Sequence, residues 1–303
     1  MSVRLSLGAA LLLLTGCATA PVAAPLADAG AGQKDWAAAC EDNDEWDKAG
    51  PPFRIFGNTH YVGTCGITAL LVTGPTGHTV IDSGTDKGAE VVLANIRALG
   101  FDPTDVDFLL MSHEHFDHVG GMARLQRATG ATVLATPDAA AVLRTGRTSV
   151  DDPQAGSEHP PFPPVPAAAI VPLAQERMQQ LGGTAFHPLF TPGHTTGATS
   201  WRWQSCEGAD CRTFVYADSL NPISSDGYRF SAHPELVTAF RAGIAKVAGS
   251  PCDILLAPHP GAASLRARLL GHKPLADTAG CRAYAATASG RLDKRLAEEA
   301  AGG

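Results

Sequence analysis

One stretch constrains this chain more than any other. Asp107-Phe108-Leu109-Leu110-Met111 reads as a buried strand, and it runs directly into Ser112-His113-Glu114-His115-Phe116-Asp117-His118. Unpaired imidazoles and carboxylates are costly to bury, so this density of histidine and acid does not belong to an ordinary core. In an extended segment His113 and His115 share a side, while Asp117 and His118 follow at its turn. The fold must therefore deliver a strand end to a cleft in which these groups find partners. The arrangement offers ligands to two metal centres side by side.

Two later segments repeat the placement. Thr191-Pro192-Gly193-His194-Thr195 and Ala257-Pro258-His259-Pro260-Gly261 each put a histidine just after a strand. If those strand ends converge, six ligands meet: His113, His115, His194, Asp117, His118 and His259. Imidazole and carboxylate without thiolate suit zinc best.

The remaining periodicity predicts short strands at Phe53–Phe56, Ile67–Val72, Thr79–Ile81, Thr132–Ala135, Ala169–Leu173, Thr184–Phe190, Thr199–Trp203, Thr213–Ala217 and Asp253–Ala257. Helices are expected at Gly88–Leu99, Met122–Ala128, Pro234–Val247 and Thr278–Ala297. Two β-rich halves, each finished by helices, predict an α/β (α+β) chain: two sheets face to face with helices outside, an αββα four-layer sandwich. The Pro-, Asp- and Ser-rich stretch Thr148–Pro166 reads as a long functional loop between the halves.

The chain ends differ from this body. Arg4 precedes an apolar run from Leu5 to Leu14, too short to span a bilayer and shaped like a signal-peptide core. Leu14-Thr15-Gly16-Cys17 looks like a lipobox, so residues 1–17 are expected to be a signal with Cys17 lipidated. An ordinary cleavage site is the alternative, although Pro21 and Pro25 follow its best candidates. Residues 18–35, rich in Ala, Pro and Gly at first, are expected to be a flexible tether to a domain over 36–303. With Cys17 set aside, six of the seven cysteines remain, enough for three bridges in an oxidising compartment such as the periplasm. Sequence does not fix their pairing. The sequential choice, Cys40–Cys65, Cys206–Cys211 and Cys252–Cys281, is the one adopted. A net charge of -7 argues against nucleic acid as a partner. Nothing demands more than a monomer.

The His-x-His-x-Asp-His string resembles the metallo-β-lactamase superfamily, and the fuller pattern resembles its subclass B3. Gly57-Asn58-Thr59-His60-Tyr61-Val62-Gly63, Val80-Ile81-Asp82-Ser83-Gly84, Tyr216-Ala217-Asp218-Ser219-Leu220 and Ala257-Pro258-His259-Pro260 carry that likeness. The resemblance implies the metallo-β-lactamase fold and two Zn(2+) ions. His113, His115 and His194 would hold the first; Asp117, His118 and His259 would hold the second. It implies a hydroxide shared by the metals that opens a β-lactam ring, with Asp117 orienting it, and hence antibiotic resistance. Ser219 is then no catalytic nucleophile, because the histidines are committed to metal.

Ser219 and Asn221 fall where that subclass recognises the substrate carboxylate. Many members carry a hydroxyl at the second position, so Asn221 departs from them, and it would equally begin a turn before Pro222. Tyr228 would reach substrate from the next loop or be structural. Asp82 resembles a residue that braces the ligands, and Asp82-Ser83-Gly84 is also good turn chemistry. His60, His78, His159, His187, His233 and His272 lack paired spacing and are not expected to hold metal. Two rivals remain: a thioesterase or lactonase of the same superfamily, in which Asp218 would bridge the metals, and a non-catalytic envelope zinc-binding lipoprotein.

Overall fold

The computed structural model describes residues 29–157 and 159–302. The signal and most of the tether lie outside the described residues. A helix α1 (Ala29–Ala39) opens the described chain, so the end of the expected tether is helical. Its Trp36 is fully buried against Phe53 and Tyr61, and Cys40 closes a disulfide with Cys65. Tertiary packing overrides the composition here.

The first sheet has β1 (Phe53–Phe56), β2 (Thr59–Tyr61), β3 (Leu70–Val72), β4 (His78–Ile81), β5 (Val106–Leu110), β6 (Thr132–Ala135) and β7 (Ile170–Pro172), paired in chain order. The second has β8 (Gln179–Leu181), β9 (Thr184–Phe190), β10 (Thr199–Glu207), β11 (Asp210–Tyr216) and β12 (Ile254–Leu256), again in order. β4 to β7 run parallel. Their crossovers carry α2 (Gly88–Ala98), then α3 (Phe116–Val119) and α4 (Met122–Thr129), then α5 (Pro137–Thr145). After β11 the chain adds α6 (Pro234–Gly249), which leads to β12 parallel to β11. It ends with α7 (Leu265–Leu269) and α8 (Gly280–Ala301).

Alternation along each strand sorts the apolar residues into layers. Leu71, Val80, Leu109 and Val133 face α2, α4 and α5 across one core. Their neighbours Leu70, Ile81, Leu110 and Leu134 face the other way, into the space between the sheets, where Trp201, Trp203, Phe214 and Tyr216 meet them. Val215 and Leu255 point outward again onto Phe240, Val247, Ala285 and Leu292 of α6 and α8. This is the expected αββα sandwich. Strands buried on both faces read as continuous apolar runs, which is why the sequence announces them so clearly. The three disulfides are those of the sequential pairing. Among the described residues no helix is long and apolar enough to cross a membrane.

Candidate metal centre

β5 ends at Leu110, and a short bent segment carries the chain to His115, whose backbone is extended, before it turns into α3. The backbone is anchored on both sides: Trp201 Nε1 donates to Met111 O at 2.8 Å, and Thr199 N donates to Ser112 O at 2.7 Å. His115 caps α3, so Asp117 and His118 lie in that helix's single turn. The change from this connecting segment to helix presents His113 and His115 from one and Asp117 and His118 from the other.

His194 arrives from beyond β9. Gly193 before it permits a close approach to α6, since a Cβ there would lie 2.1 Å from the Phe240 ring. His259 follows β12 and caps a short turn over Pro260–Ala263. All these positions follow the C-terminal ends of strands, the end at which parallel sheets collect functional groups.

The rings converge. His113 and His194 have centroids 4.8 Å apart, as do His115 and His194, and His113 and His118 are 4.2 Å apart. His113, His115 and His194 each bring a donor atom within 4.8 Å of the others, and so do His113, Asp117 and His118. His259 stands beside the second group: its ring is 4.9 Å from that of His118 and its Nε2 is 3.4 Å from Asp117 Oδ2. It is the most open of the six, with 39% of its side chain exposed.

Behind the rings stands a set of acceptors. Asp218 Oδ1 lies 2.9 Å from His113 Nδ1, leaving Nε2 free. Asp152 Oδ2 lies 3.0 Å from His115 Nε2, leaving Nδ1 free. The carbonyl of Asn221 lies 2.9 Å from His194 Nδ1. Asp82 Oδ2 lies 3.5 Å from His118 Nδ1. Asp152 and the Asn221 carbonyl are hydrogen-bonded partners of the kind that fix the orientation of metal-binding imidazoles and raise their basicity, while Asp218 and Asp82 stand close to their rings without a directed bond to them. Asp82 holds a left-handed backbone, φ 62°, that a non-glycine residue adopts only under constraint. The constraint is visible: its carboxylate accepts from Ser112 N at 2.6 Å, Ser112 Oγ at 2.7 Å and Tyr216 Oη at 2.6 Å.

Burial, with the neighbouring imidazoles adding to it, holds His113 well below the usual histidine range and His194 down to about 3. Burial likewise takes His259 to about 4. Neutral imidazole is the form a cation binds. Burial works against both ions of the Asp117–His118 pair, yet their attraction prevails, pushing Asp117 down and His118 up to about 10. Neither His118 nitrogen makes a well-directed hydrogen bond, although both are buried. Orphaned buried nitrogens are rare and ask for a partner. Together with the neutral imidazoles of His113, His194 and His259 and the carboxylate of Asp117, they fit bound metal.

Each of the six expected ligands is thus in the cluster or at its edge. Asp218, the acid that would bridge metals in the rival reading, stands behind His113 instead. Asn221 borders the cluster through its carbonyl, and Ser219 stands behind it, its own carbonyl accepting from Asn221 N at 2.7 Å. Tyr228 stacks its ring on His233, centroids 4.6 Å apart. The sequence reading missed Asp152, Glu114 and the place of His159. Asp152 sits in the long loop already suspected of function. Glu114, inside the string itself, accepts from Thr195 Oγ1 at 2.6 Å and Gly197 N at 2.8 Å, tying the two ligand segments together. His159 stacks on His115 with centroids 4.8 Å apart. At the other side of the mouth, Trp46 is 42% exposed, 5.5 Å from the Phe116 ring and 6.2 Å from that of His259.

Residues 62–207 match the profile of the family described as the metallo-β-lactamase superfamily. Among solved structures, the chain is 51% identical to the MIM-2 metallo-β-lactamase, covering 88% of this chain and 98% of that one with a TM-score of 0.83. It is 43% identical to MEM-A1, a subclass B3 metallo-β-lactamase from a soil metagenome library, covering 86% of this chain and all of that one at TM-score 0.80. Among curated proteins, an N-acyl homoserine lactonase of Azorhizobium caulinodans is 36% identical over 82 residues. That match takes in 20% of this chain and spans 31% of the lactonase.

Proposed function

The chain belongs to the metallo-β-lactamase superfamily, and on that premise we propose that it is a zinc-dependent β-lactamase of the subclass B3 kind, conferring resistance to β-lactam antibiotics. One observation carries the reading. Two overlapping donor groups share His113, draw on imidazole and carboxylate alone, and leave Asp218 behind the ring rather than among the donors.

His113, His115 and His194 would hold one zinc; Asp117, His118 and His259 would hold the other. Bound zinc supplies Lewis acidity and a water whose pKa falls to about 7. The protein's part is orientation. Asp117, held ionised between His118 and His259, would orient the attacking water and accept its proton. Ser219 and Asn221 would donate hydrogen bonds to the substrate carboxylate. Trp46 and Phe116 would give the ring substituents an apolar wall. The His115 nitrogen facing Asp152 and the His194 nitrogen facing the Asn221 carbonyl stay engaged, so neither imidazole is free to serve a serine nucleophile.

The lactonase likeness is confined to 82 residues, whereas the β-lactamase likeness runs nearly the whole length of those enzymes. We take the substrate to be a small molecule, the enzyme to work as a monomer, and the compartment to be the periplasm, with Cys17 as the lipid attachment. The three disulfides support an oxidising compartment.

The deciding experiment is a zinc titration of the purified mature protein against a carbapenem, a thioester and a homoserine lactone. β-Lactam turnover that rises with zinc, vanishes with chelator and ignores serine-acylating inhibitors is expected. Turnover of the lactone or thioester alone would replace the reading with one of its rivals. Tight zinc binding without any turnover would leave a metal carrier. His115→Ala is expected to lose nearly all hydrolysis while remaining folded; full activity in that variant would overturn the ligand assignment.

A further inference from the structure

The loop from Ser219 to Ser231 supplies the carbonyl that braces His194 and, on the reading above, the groups that meet substrate. Leu220 and Phe230 anchor it in the core beneath, but few hydrogen bonds within the loop order the stretch between them. Its local bonds are short turns, such as Ile223 N to Asn221 O at 2.9 Å and Tyr228 N to Ser225 O at 3.2 Å. Most of the side-chain hydrogen bonds made to that stretch come from the far end of the chain. Arg295 of α8 donates from Nη2 to Ser224 Oγ at 2.8 Å and to Tyr228 O at 3.0 Å. Its Nε donates to Glu299 Oε1 at 2.7 Å, and its guanidinium lies over the Phe230 ring at 5.8 Å. Glu299 in turn accepts from Phe230 N at 3.0 Å and Ser231 N at 2.7 Å, and its backbone carbonyl accepts from Arg229.

An Arg–Glu pair one turn apart on a helix is usually a solvated surface pair worth a few tenths of a kcal/mol. This one is not. The Glu299 side chain is 7% exposed, and its lone pairs serve the loop's backbone. The connection continues beyond the loop. Ser225 N and Oγ both donate to Pro153 O, at 2.9 and 3.2 Å. Pro153 adjoins Asp152, the acceptor behind His115, while Asn221 is the acceptor behind His194.

We propose that Arg295 and Glu299 are positioning residues for the metal centre: from α8 they clamp the 219–231 loop, and through it set the acceptors that orient His194 and His115. The substrate-binding part of this proposal rests on the β-lactamase reading; the clamp itself does not.

The test uses the zinc-loaded full-length protein and three variants, Arg295→Ala, Arg295→Lys and Ser224→Ala. Three readouts are taken: amide hydrogen exchange over 219–231, zinc loss to a competing chelator, and KM and kcat for a carbapenem. Removing one such charge-assisted hydrogen bond corresponds to about a tenfold effect. Arg295→Ala should speed exchange in the loop about tenfold while α6 is unchanged. It should hasten zinc loss and raise KM by about the same factor, with kcat changed less. Ser224→Ala should move each readout the same way by less, and Arg295→Lys should recover part of the loss. Wild-type exchange and zinc retention in Arg295→Ala would overturn the clamp. So would a uniform rise in exchange across α6 and the loop alike, which is the mark of general destabilisation. If the wild type turns over no β-lactam, the functional reading fails, and exchange with zinc retention still decides the clamp.

Discussion

Asp152 holds His115 from a loop 37 residues further along the chain, its Oδ2 3.0 Å from the ring's Nε2. The carboxylate is 2% exposed, and Gln154 N also donates to it, so it is fixed before any metal binds. Loss of such a partner usually costs about 10–100-fold in metal affinity or activity. Asp152→Ala should therefore weaken zinc retention by about that factor, and Asp152→Asn by less, because the amide oxygen still accepts. Chelator competition measures it. Unaltered retention in Asp152→Ala would mean that the contact plays no part in holding metal.

Glu114 does a different job in the same string. It is buried, 3% exposed, and accepts from Thr195 and Gly197, which follow His194 closely in the chain. Burial pushes its pKa up, and these hydrogen bonds only partly offset that. Alanine would leave Thr195 Oγ1 and Gly197 N without a partner, at about 1–3 kcal/mol for each group stranded. Glu114→Ala should lower the denaturant midpoint clearly at constant slope, with Glu114→Gln between it and wild type. A midpoint equal to wild type in the alanine variant would show that the two segments are held together by other contacts.

These two carboxylates also mark where sequence reasoning stops. The histidine and aspartate cluster was legible because imidazoles crowded after an apolar strand have few other uses. Thr132–Ala135 was legible because burial on both faces makes an apolar run, and Thr184–Phe190 because buried Phe186 and Pro188 alternate with half-buried neighbours. The acceptors behind the ligands were not, since an aspartate in a loop gains its meaning from what lies in front of it in space. β2, three fully buried residues including His60, offers no alternation to read. α5 was overlooked although Thr136 and Pro137 are a good start signal, the Thr136 hydroxyl accepting from Ala139 N. α1 was hidden by Ala and Gly, and it is tertiary contact, with Phe53, Tyr61 and Arg266 among its partners, that makes it a helix worth keeping.

The disulfides should differ in worth by the loops they close. Cys206 and Cys211 are 5 residues apart across a hairpin that β10 and β11 already hold, while Cys252 and Cys281 are 29 apart. On the chain-entropy account the short loop is worth about 2 kcal/mol and the long one about 3.5 kcal/mol. Replacing Cys252 and Cys281 with alanine should lower the melting temperature more than replacing Cys206 and Cys211. The reverse order, measured by calorimetry on the zinc-loaded protein, would sink the entropic account here.

Glu299 gives a pH signature that belongs to the α8 clamp. Burial alone would raise its pKa, but the hydrogen bonds from Arg295, Ser231 and Phe230 outweigh burial and hold it down to about 2, against an ordinary 4.5. Between those values the unfolded chain binds the proton and the folded chain does not, so unfolding gains as acid is added. The stabilisation is present in full above about 4.5 and drains away as pH falls toward about 2. Glu299→Gln keeps one acceptor but removes the charge, so at pH 7 it should be less stable by about 1–3 kcal/mol. The gap between variant and wild type should stay constant from pH 7 to 5 and narrow below about 4.5. Taking the difference cancels the effect of acid on the histidine cluster, which both proteins share. Denaturation of the pair at stepped pH supplies the curve. A gap that persists unchanged at pH 3 would show that the carboxylate's charge does nothing for the loop it touches.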